Sequence, residues 1–410
     1  MRAPRRAWCR TFQAVFRLAL PFLPYHEPVI LESTDALSDF VRARRVSSVL
    51  LVTDTGIASL GLHTSAVRGL EEAGIEVVVY AETVANPTTD NVEDALGLYH
   101  LRDCGAIIGF GGGSAMDCAK GVAARVARPK KSLGELKGLL RVHARTPLLV
   151  AVPTTAGTGS EVTLAAVITD AREHHKYVIN DFALIPDAAV HDWRLTEGLP
   201  AAVTAQTGMD ALTHAVEAYI GRSTNAFTRS CAEEAVSLIR LHLEDAYANP
   251  HDGEARRGML RAAYLAGNAF TRSYVGYVHG IAHSLGGRYG TPHGLANAVA
   301  LPHVLRAYGP AAHGKLARLA RASGVVDDSA SPLDDAEAAG RFIEWICGMN
   351  ETLGIPEHLD CIVDADIVEM ADHADAESNP LYPVPVLFDA GELAALYRTI
   401  AGDFLQHVRA

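Results

Sequence analysis

The chain has 410 residues, 49% of them hydrophobic and 20% charged, with a formal net charge of -12. That composition is ordinary for a soluble globular protein of two or three domains, and the acidic balance excludes a general nucleic-acid binder, which needs basic surface to displace phosphate counterions. The six cysteines (Cys9, Cys104, Cys118, Cys231, Cys347 and Cys361) include no CxxC pair, so a cysteine zinc site and a disulfide scaffold are both unexpected, and the chain is assigned to a reducing compartment, the cytoplasm.

The first 26 residues contain no acid and carry Arg2, Arg5, Arg6, Arg10 and Arg17. The apolar run 16–23 is too short to cross a bilayer and holds Arg17 and Pro21, so no transmembrane segment is expected. Segment 1–25 reads as a basic helical extension that packs on the body or on a second subunit. Its arginine-rich, acid-poor composition also suits an organellar transit peptide.

Within a first domain placed at 26–198, residues from about 45 to 192 alternate short apolar runs with helical patterns. Segments 49–52, 76–80, 106–110 and 148–152 read as strands, with helices over 90–101 and 115–126; 162–170 and 176–179 are further strand candidates, together a hairpin candidate. Such alternation implies parallel strands joined by crossover helices, a Rossmann-like doubly wound α/β domain. After Leu199-Pro200 the pattern turns helical, over 211–220, 226–247, 255–270, 311–322, 336–353 and 392–401. The boundary is therefore placed near 198, with an all-α domain over 199–410.

Two loops follow strands of the first domain. Gly111-Gly112-Gly113-Ser114-Ala115-Met116-Asp117 opens a helix; without Cβ atoms its backbone approaches a ligand closely, and the free N–H groups and dipole at the helix start favour an anion such as a pyrophosphate. It is not the common GxGxxG fingerprint, and a tight turn without ligand is the plain alternative. Pro153-Thr154-Thr155-Ala156-Gly157-Thr158-Gly159-Ser160-Glu161 offers hydroxyls to phosphate or ribose oxygens. Ligands of open α/β sheets gather at the carboxyl ends of strands. Asp54, ending the strand near 49–53, is a candidate for a ribose 2′-OH and against a 2′-phosphate, which favours NAD over NADP; as a turn aspartate it needs no ligand.

In the second domain Asp210 and His214 lie four apart on one helix face. His279 and His283 repeat that spacing, and His293 follows on a Thr291-Pro292-His293-Gly294 turn. Asp210, His214, His279 and His293 make a four-ligand set suited to Fe(II), Zn(II) or another first-row ion. A single helical histidine is more often a packed or surface residue, so the assignment rests on the clustering among Gly280, Gly286, Gly287, Gly290 and Gly294. His303 is read as structural, in a Leu301-Pro302-His303 turn. Glu217 is either a partner behind the ligands or an acid of the helix face. Cys118 is read as packing.

Together these motifs resemble the iron-containing (group III) alcohol dehydrogenase family, from about Pro24 to Phe404, through Leu51-Val52-Thr53-Asp54, Asn86-Pro87-Thr88, 111–120, 153–162, 208–219, 279–302 and Asn379-Pro380. The resemblance implies a dinucleotide-binding α/β domain, a helical domain of dehydroquinate synthase-like architecture and a cleft between them. It implies the same four metal ligands, and an NAD site lined by Asp54, Asn86, Gly112, Gly113, Ser114, Asp117, Thr154, Thr155, Thr158 and Lys176. His283 is expected beside nicotinamide and substrate as a proton relay, and Phe270 in the substrate pocket. Ala165 stands where some members carry an asparagine, and not all members share the basic start. The implied activity is a metal-dependent, NAD-linked alcohol dehydrogenase acting on a small alcohol or aldehyde, with Fe(II) or Zn(II), in a homodimer or larger homo-oligomer. Competing readings are a related reductase or transhydrogenase, a dehydroquinate-synthase-like lyase without net NADH formation, and a nucleotide-binding regulatory protein.

Overall fold

The structure, a computed structural model, describes residues 1–172, 176–329 and 331–402; Phe404, where the resemblance ends, lies outside them. The chain forms two compact units, one of Pro24–Glu197 and one of Met1–Leu23 together with the chain from Gly198 onward. Among the described residues no helix is long and apolar enough to cross a membrane.

Among the described residues the first unit holds nine strands: β1 (Val29–Leu31), β2 (Ser48–Asp54), β3 (Glu76–Thr83), β4 (Ala106–Gly111), β5 (Gly138–Leu139), β6 (Leu148–Pro153), β7 (Ala165–Thr169), β8 (Lys176–Asn180) and β9 (Ala188–Val190). Six form one sheet in the order β1-β9-β6-β4-β2-β3, and every pairing in it is parallel. β2 and β4 are buried along almost their whole length, which is why they read as continuous apolar runs rather than alternating ones. One sheet face packs Leu50, Ile107, Cys118, Val122 and Leu149. The other packs Val49, Leu51, Ile108, Phe110, Val150 and Leu37. At roughly 25 cal/mol per Å² of apolar surface removed from water, such two-sided cores are the main stabilising term of the unit.

β7 and β8 are an antiparallel pair, as the hairpin candidate required, but they lie in a separate three-stranded sheet with β5. Val162, read as the start of a strand, closes a 3-10 turn over residues 160–162 instead, and the strand begins at Ala165; Gly159, just before that turn, has φ +60 and so breaks the extended chain.

The second unit is helical. Its members include Ala201–Ile220, Ala226–Ala248, Gly253–Ser273, Tyr277–Tyr289, His293–Tyr308, Pro310–Ala322, Asp335–Thr352, Ile367–Ser378 and Ala390–Ala401. The basic start folds as the helix Ala3–Ala19 and belongs to this unit. It buries Cys9 and Gln13, and its Arg5 forms a two-pronged ion pair with Asp375 at 2.7 and 2.9 Å.

Two expected turns are corrected. His293 is the first residue of the helix His293–Tyr308, with Pro292 as its N-cap. Residues 301–303 lie inside that helix, which continues through Pro302. His303 has the structural role expected of it, its Nε2 meeting the Glu357 carbonyl at 3.1 Å.

Candidate metal and dinucleotide sites

In the first unit the register places Gly111 of β4 opposite Pro153 of β6. Both candidate loops therefore leave the carboxyl ends of adjacent strands, and β2, ending at Asp54, is the neighbour on the other side. The Thr154 N–H donates to the Gly111 carbonyl at 3.0 Å, tying the loops together. The loops touch closely: a Cβ on Gly113 would lie 3.0 Å from Thr158 Cγ2, and one on Gly112 3.5 Å from Thr155 Oγ1. The N-cap of the helix Gly113–Ala127 is Gly112, and no side chain caps it. Among the described residues the first N–H groups of that helix thus have no capping side chain, the arrangement an anion fits. Thr154 Oγ1 is buried without a hydrogen bond among the described residues. These features fit a pyrophosphate-bearing cofactor.

The other predicted contacts group around this cradle. Asn86, at φ +59, donates its N–H to Ser114 Oγ at 3.2 Å. Asp54 caps a short helix through Oδ1, which accepts from the Ile57 N–H at 2.9 Å, while its Oδ2 faces Gly111. Lys176 opens β8, its amine pushed below the ordinary range by burial. Asp117 is already engaged: it accepts from Ser160 Oγ at 2.8 Å and the Val167 N–H at 3.0 Å. Desolvation holds its carboxyl above the usual range against the pull of Lys120.

Lys120 carries a role that sequence reasoning missed. Its Nζ, 1% exposed, reaches five oxygens at 2.6 to 3.0 Å, from Ser160, Thr163 and Ala165, and so pins the second loop to the cradle helix. Cys118 is fully buried with its thiol pushed up to about 12 by burial, which suits packing and not nucleophilic attack.

In the second unit the ligand atoms of Asp210, His279 and His293 all lie within 4.8 Å of one another. Asp210 Oδ1 is 3.5 Å from His293 Nε2 and 3.9 Å from His279 Nε2. A Cβ on Gly294 would sit 2.2 Å from the Gln206 carbonyl oxygen, so only glycine lets the His293 helix approach the Asp210 helix this closely. His214 stands beside the trio: its Nδ1 is 4.0 Å from Asp210 Oδ2, and its ring stacks on Phe270 at 4.0 Å and on His279 at 4.5 Å.

Behind the trio, Glu217 is hydrogen-bonded to His279, a candidate ligand. Its Oε2 meets His279 Nδ1 at 2.6 Å, and its two oxygens accept from the Gly276 and Val278 N–H groups at 2.8 Å each. That contact makes Nδ1 the protonated nitrogen of His279 and aims the Nε2 lone pair at Asp210. Burial, then the neighbouring imidazoles, hold His279 far below its ordinary pKa, so it is neutral, as a ligand must be. Asn297, fully buried, donates from Nδ2 to Asp210 Oδ1 at 2.7 Å and lies 3.1 Å from His293 Nε2. An acid and two imidazoles converging in this way fit a divalent cation. His283 stacks on His293 at 5.2 Å and meets Glu377 Oε1 through Nδ1 at 2.6 Å.

The description "Iron-containing alcohol dehydrogenase" matches residues 30–193, and "Fe-containing alcohol dehydrogenase family, C-terminal" matches residues 204–401. The chain belongs to the iron-containing alcohol dehydrogenase family. It is an oxidoreductase, an NAD-linked, metal-dependent alcohol dehydrogenase, and its cofactors are NAD and a metal ion. Among its relatives, 1,3-propanediol dehydrogenase of Klebsiella pneumoniae is 40% identical over 353 residues, 85% of this chain and 90% of the relative. NAD-dependent methanol dehydrogenase of Bacillus methanolicus is 37% identical over 307 residues, 75% of this chain and 80% of the relative. A crystal structure of 1,3-propanediol oxidoreductase superposes with a TM-score of 0.88 at 37% identity, covering 92% of this chain and 99% of that one.

Proposed function

We propose that this family member interconverts a short alcohol or diol and its aldehyde, with Asp210, His279, His293 and His214 as the metal ligands. The observation that carries the reading is the convergence of Asp210 Oδ1 with the Nε2 atoms of His279 and His293, the first of those rings locked by Glu217. His214, 4.0 Å from the Asp210 carboxylate, is the fourth candidate. The donor set tolerates several first-row ions; the family description supports Fe(II) as the resident one, with Zn(II) as the competitor.

A bound divalent ion supplies Lewis acidity toward the substrate oxygen, and the nicotinamide supplies the hydride acceptor. The chain's own residues do the rest. The N–H groups that open the helix Gly113–Ala127, with Gly112, Ser114, Thr154, Thr155 and Thr158, hold the pyrophosphate; Asn86 and Lys176 serve the same cofactor. Asp54 takes the ribose hydroxyl and repels a 2′-phosphate, which favours NAD over NADP. Asp117 acts one step behind, by positioning Ser160. Phe270, stacked on His214, walls the substrate pocket. His283 carries the alcohol proton away: with Nδ1 held by Glu377, Nε2 is the nitrogen that exchanges protons. The short-alcohol reading leans on the relatives named for 1,3-propanediol and methanol. A homodimer or larger homo-oligomer in the cytoplasm completes the proposal, the former from the family likeness and the latter from six free thiols.

The test is anaerobic loading of the protein with Fe(II) or Zn(II), followed by metal analysis and an NADH-formation screen over short alcohols and diols. His279→Ala is expected to lose bound metal by at least about tenfold and to lose turnover while keeping its far-ultraviolet circular dichroism. Full metal occupancy in that variant refutes the ligand assignment.

A further inference from the structure

The N-terminal helix Ala3–Ala19 is not spent on exposed charge alone. Its inner face grips one loop, residues 380–385, that leaves the helix Ile367–Ser378. Gln13, 4% exposed, donates from Nε2 to the carbonyls of Tyr382 at 2.7 Å and Pro380 at 3.2 Å. Arg10 donates from Nη1 to the Val384 carbonyl and from Nη2 to that of Pro385, each at 2.8 Å, and from Nη1 also to Gln13 Oε1. The loop carries Pro380, Pro383 and Pro385, three residues with no N–H to donate, so it cannot hold itself by a regular backbone ladder. Its remaining backbone ties are Tyr382 N–H to Ser378, Val384 N–H to the Tyr382 carbonyl, and the Arg222 N–H to Pro383.

From this loop Tyr382 reaches the carboxylate that meets His283. Tyr382, 7% exposed, donates its hydroxyl to Glu377 Oε1 at 2.6 Å, and that same oxygen receives His283 Nδ1 at 2.6 Å. A continuous path of hydrogen bonds and covalent chain therefore runs from Gln13 and Arg10 through the loop to Tyr382, Glu377 and His283, all within one compact unit.

We propose that the N-terminal helix is a positioning strap for His283, acting through the 380–385 loop, Tyr382 and Glu377. Tyr382 holds one lone pair of Glu377, which leaves the carboxylate one orientation in which to accept from His283 Nδ1. That fixes both the ring plane and the tautomer of His283, and a proton carrier works only while its exchanging nitrogen faces the donor. The carboxylate behind a catalytic histidine has this orienting role in other enzymes. The inference rests on the reading of His283 as the proton carrier.

The experiment uses the metal-loaded full chain, NAD and the best alcohol of the screen. Four variants are compared with wild type: the double variant Arg10→Ala with Gln13→Ala, Tyr382→Phe, Glu377→Gln, and the helix and Glu377 changes combined. The helix variant and Tyr382→Phe are each expected to lower kcat about tenfold, with metal content and the KM for NAD within about twofold of wild type. Adding the helix changes to Glu377→Gln is expected to cost little more than Glu377→Gln alone, because both act through one carboxylate. The 15N chemical shifts of His283 are expected to move from one tautomer toward a mixture in each variant, a change that a merely supportive helix does not produce. Leu18→Ser, on the exposed face of the same helix, is the control and leaves kcat unchanged.

Losses that multiply in the combined variant, or unmoved His283 shifts, overturn the strap. If the helix variant does not fold, Tyr382→Phe alone decides, since it removes one oxygen at the last link. His283→Ala separates the two readings. Unimpaired turnover there refutes the role of His283, whereas impaired turnover with an unaffected helix variant and an unaffected Tyr382→Phe refutes only the strap.

Discussion

Glu161 closes the second loop of the α/β unit at 2% exposure, and its Oε1 has no hydrogen bond among the described residues. Burial pushes its carboxyl up to about 7, against the opposing pull of Lys120. Its folded pKa is thus above the unfolded value of 4.5, so the folded state binds the extra proton between pH 4.5 and about 7. Stability from this group is complete below pH 4.5 and is lost as pH rises through 7, on the order of 3 kcal/mol in all. Glu161→Gln, which cannot ionise, is expected to remove that slope. Urea unfolding of both proteins at pH 5 and pH 8 measures it, and parallel pH profiles count against the assignment. Single residues were legible to different depths. Asp210 stands out through His214 four residues on, and His279 and His293 through their clustering with His283 among glycines. Glu217 was ambiguous, since its i+3 spacing from His214 describes a helix face but not the backbone N–H groups of Gly276 and Val278 that it accepts from. Asn297, Glu377 and Gln13 carried no signal, because Asp210, His283 and the 380–385 loop, the partners that give them their places, are distant in the chain and only the fold brings them near.

At the scale of elements, the cradle works because two loops share the ends of β4 and β6. Gly113→Val would place branched methyls against Thr158, whose Cγ2 would lie only 3.0 Å from even a bare Cβ at that position. The loops must part by some tenths of an ångström, and the first N–H groups of the helix then miss the pyrophosphate. NADH affinity is expected to fall at least about tenfold, with metal content unchanged; a fluorescence titration of the metal-loaded variant checks this, and wild-type affinity speaks against the cradle. β2, β3, β4 and β6, six to eight residues each, were readable from the shorter runs 49–52, 76–80, 106–110 and 148–152 inside them. β1 and β9, three residues each, were not, because so short a run carries no period and forms only where a neighbour supplies the ladder. The helix His293–Tyr308 was hidden by its prolines: Pro292 suits a turn as well as an N-cap, and Pro302 inside a helix normally argues for its end.

At the scale of the molecule, the proposed metal ligands and the proposed dinucleotide cradle belong to different compact units, Asp210, His279 and His293 in one and 111–117 with 153–161 in the other. A ligand stabilises what it binds by mass action, about 2.7 kcal/mol at a hundredfold excess over Kd, which corresponds to about a hundredfold slowing of opening-limited amide exchange. The expected pattern is therefore divided. Fe(II) or Zn(II) added to the metal-free protein should slow exchange in the helices Ala201–Ile220, Tyr277–Tyr289 and His293–Tyr308 and leave β4 and β6 as they were. NAD added alone should slow exchange in the cradle helix Gly113–Ala127 and the loop after β6, and leave the three metal-bearing helices unchanged. Hydrogen-exchange mass spectrometry of the full chain reads both arms at once. Protection of both units by either ligand alone overturns the division, because it means that the units open together and that neither ligand's effect can be assigned to the residues that hold it.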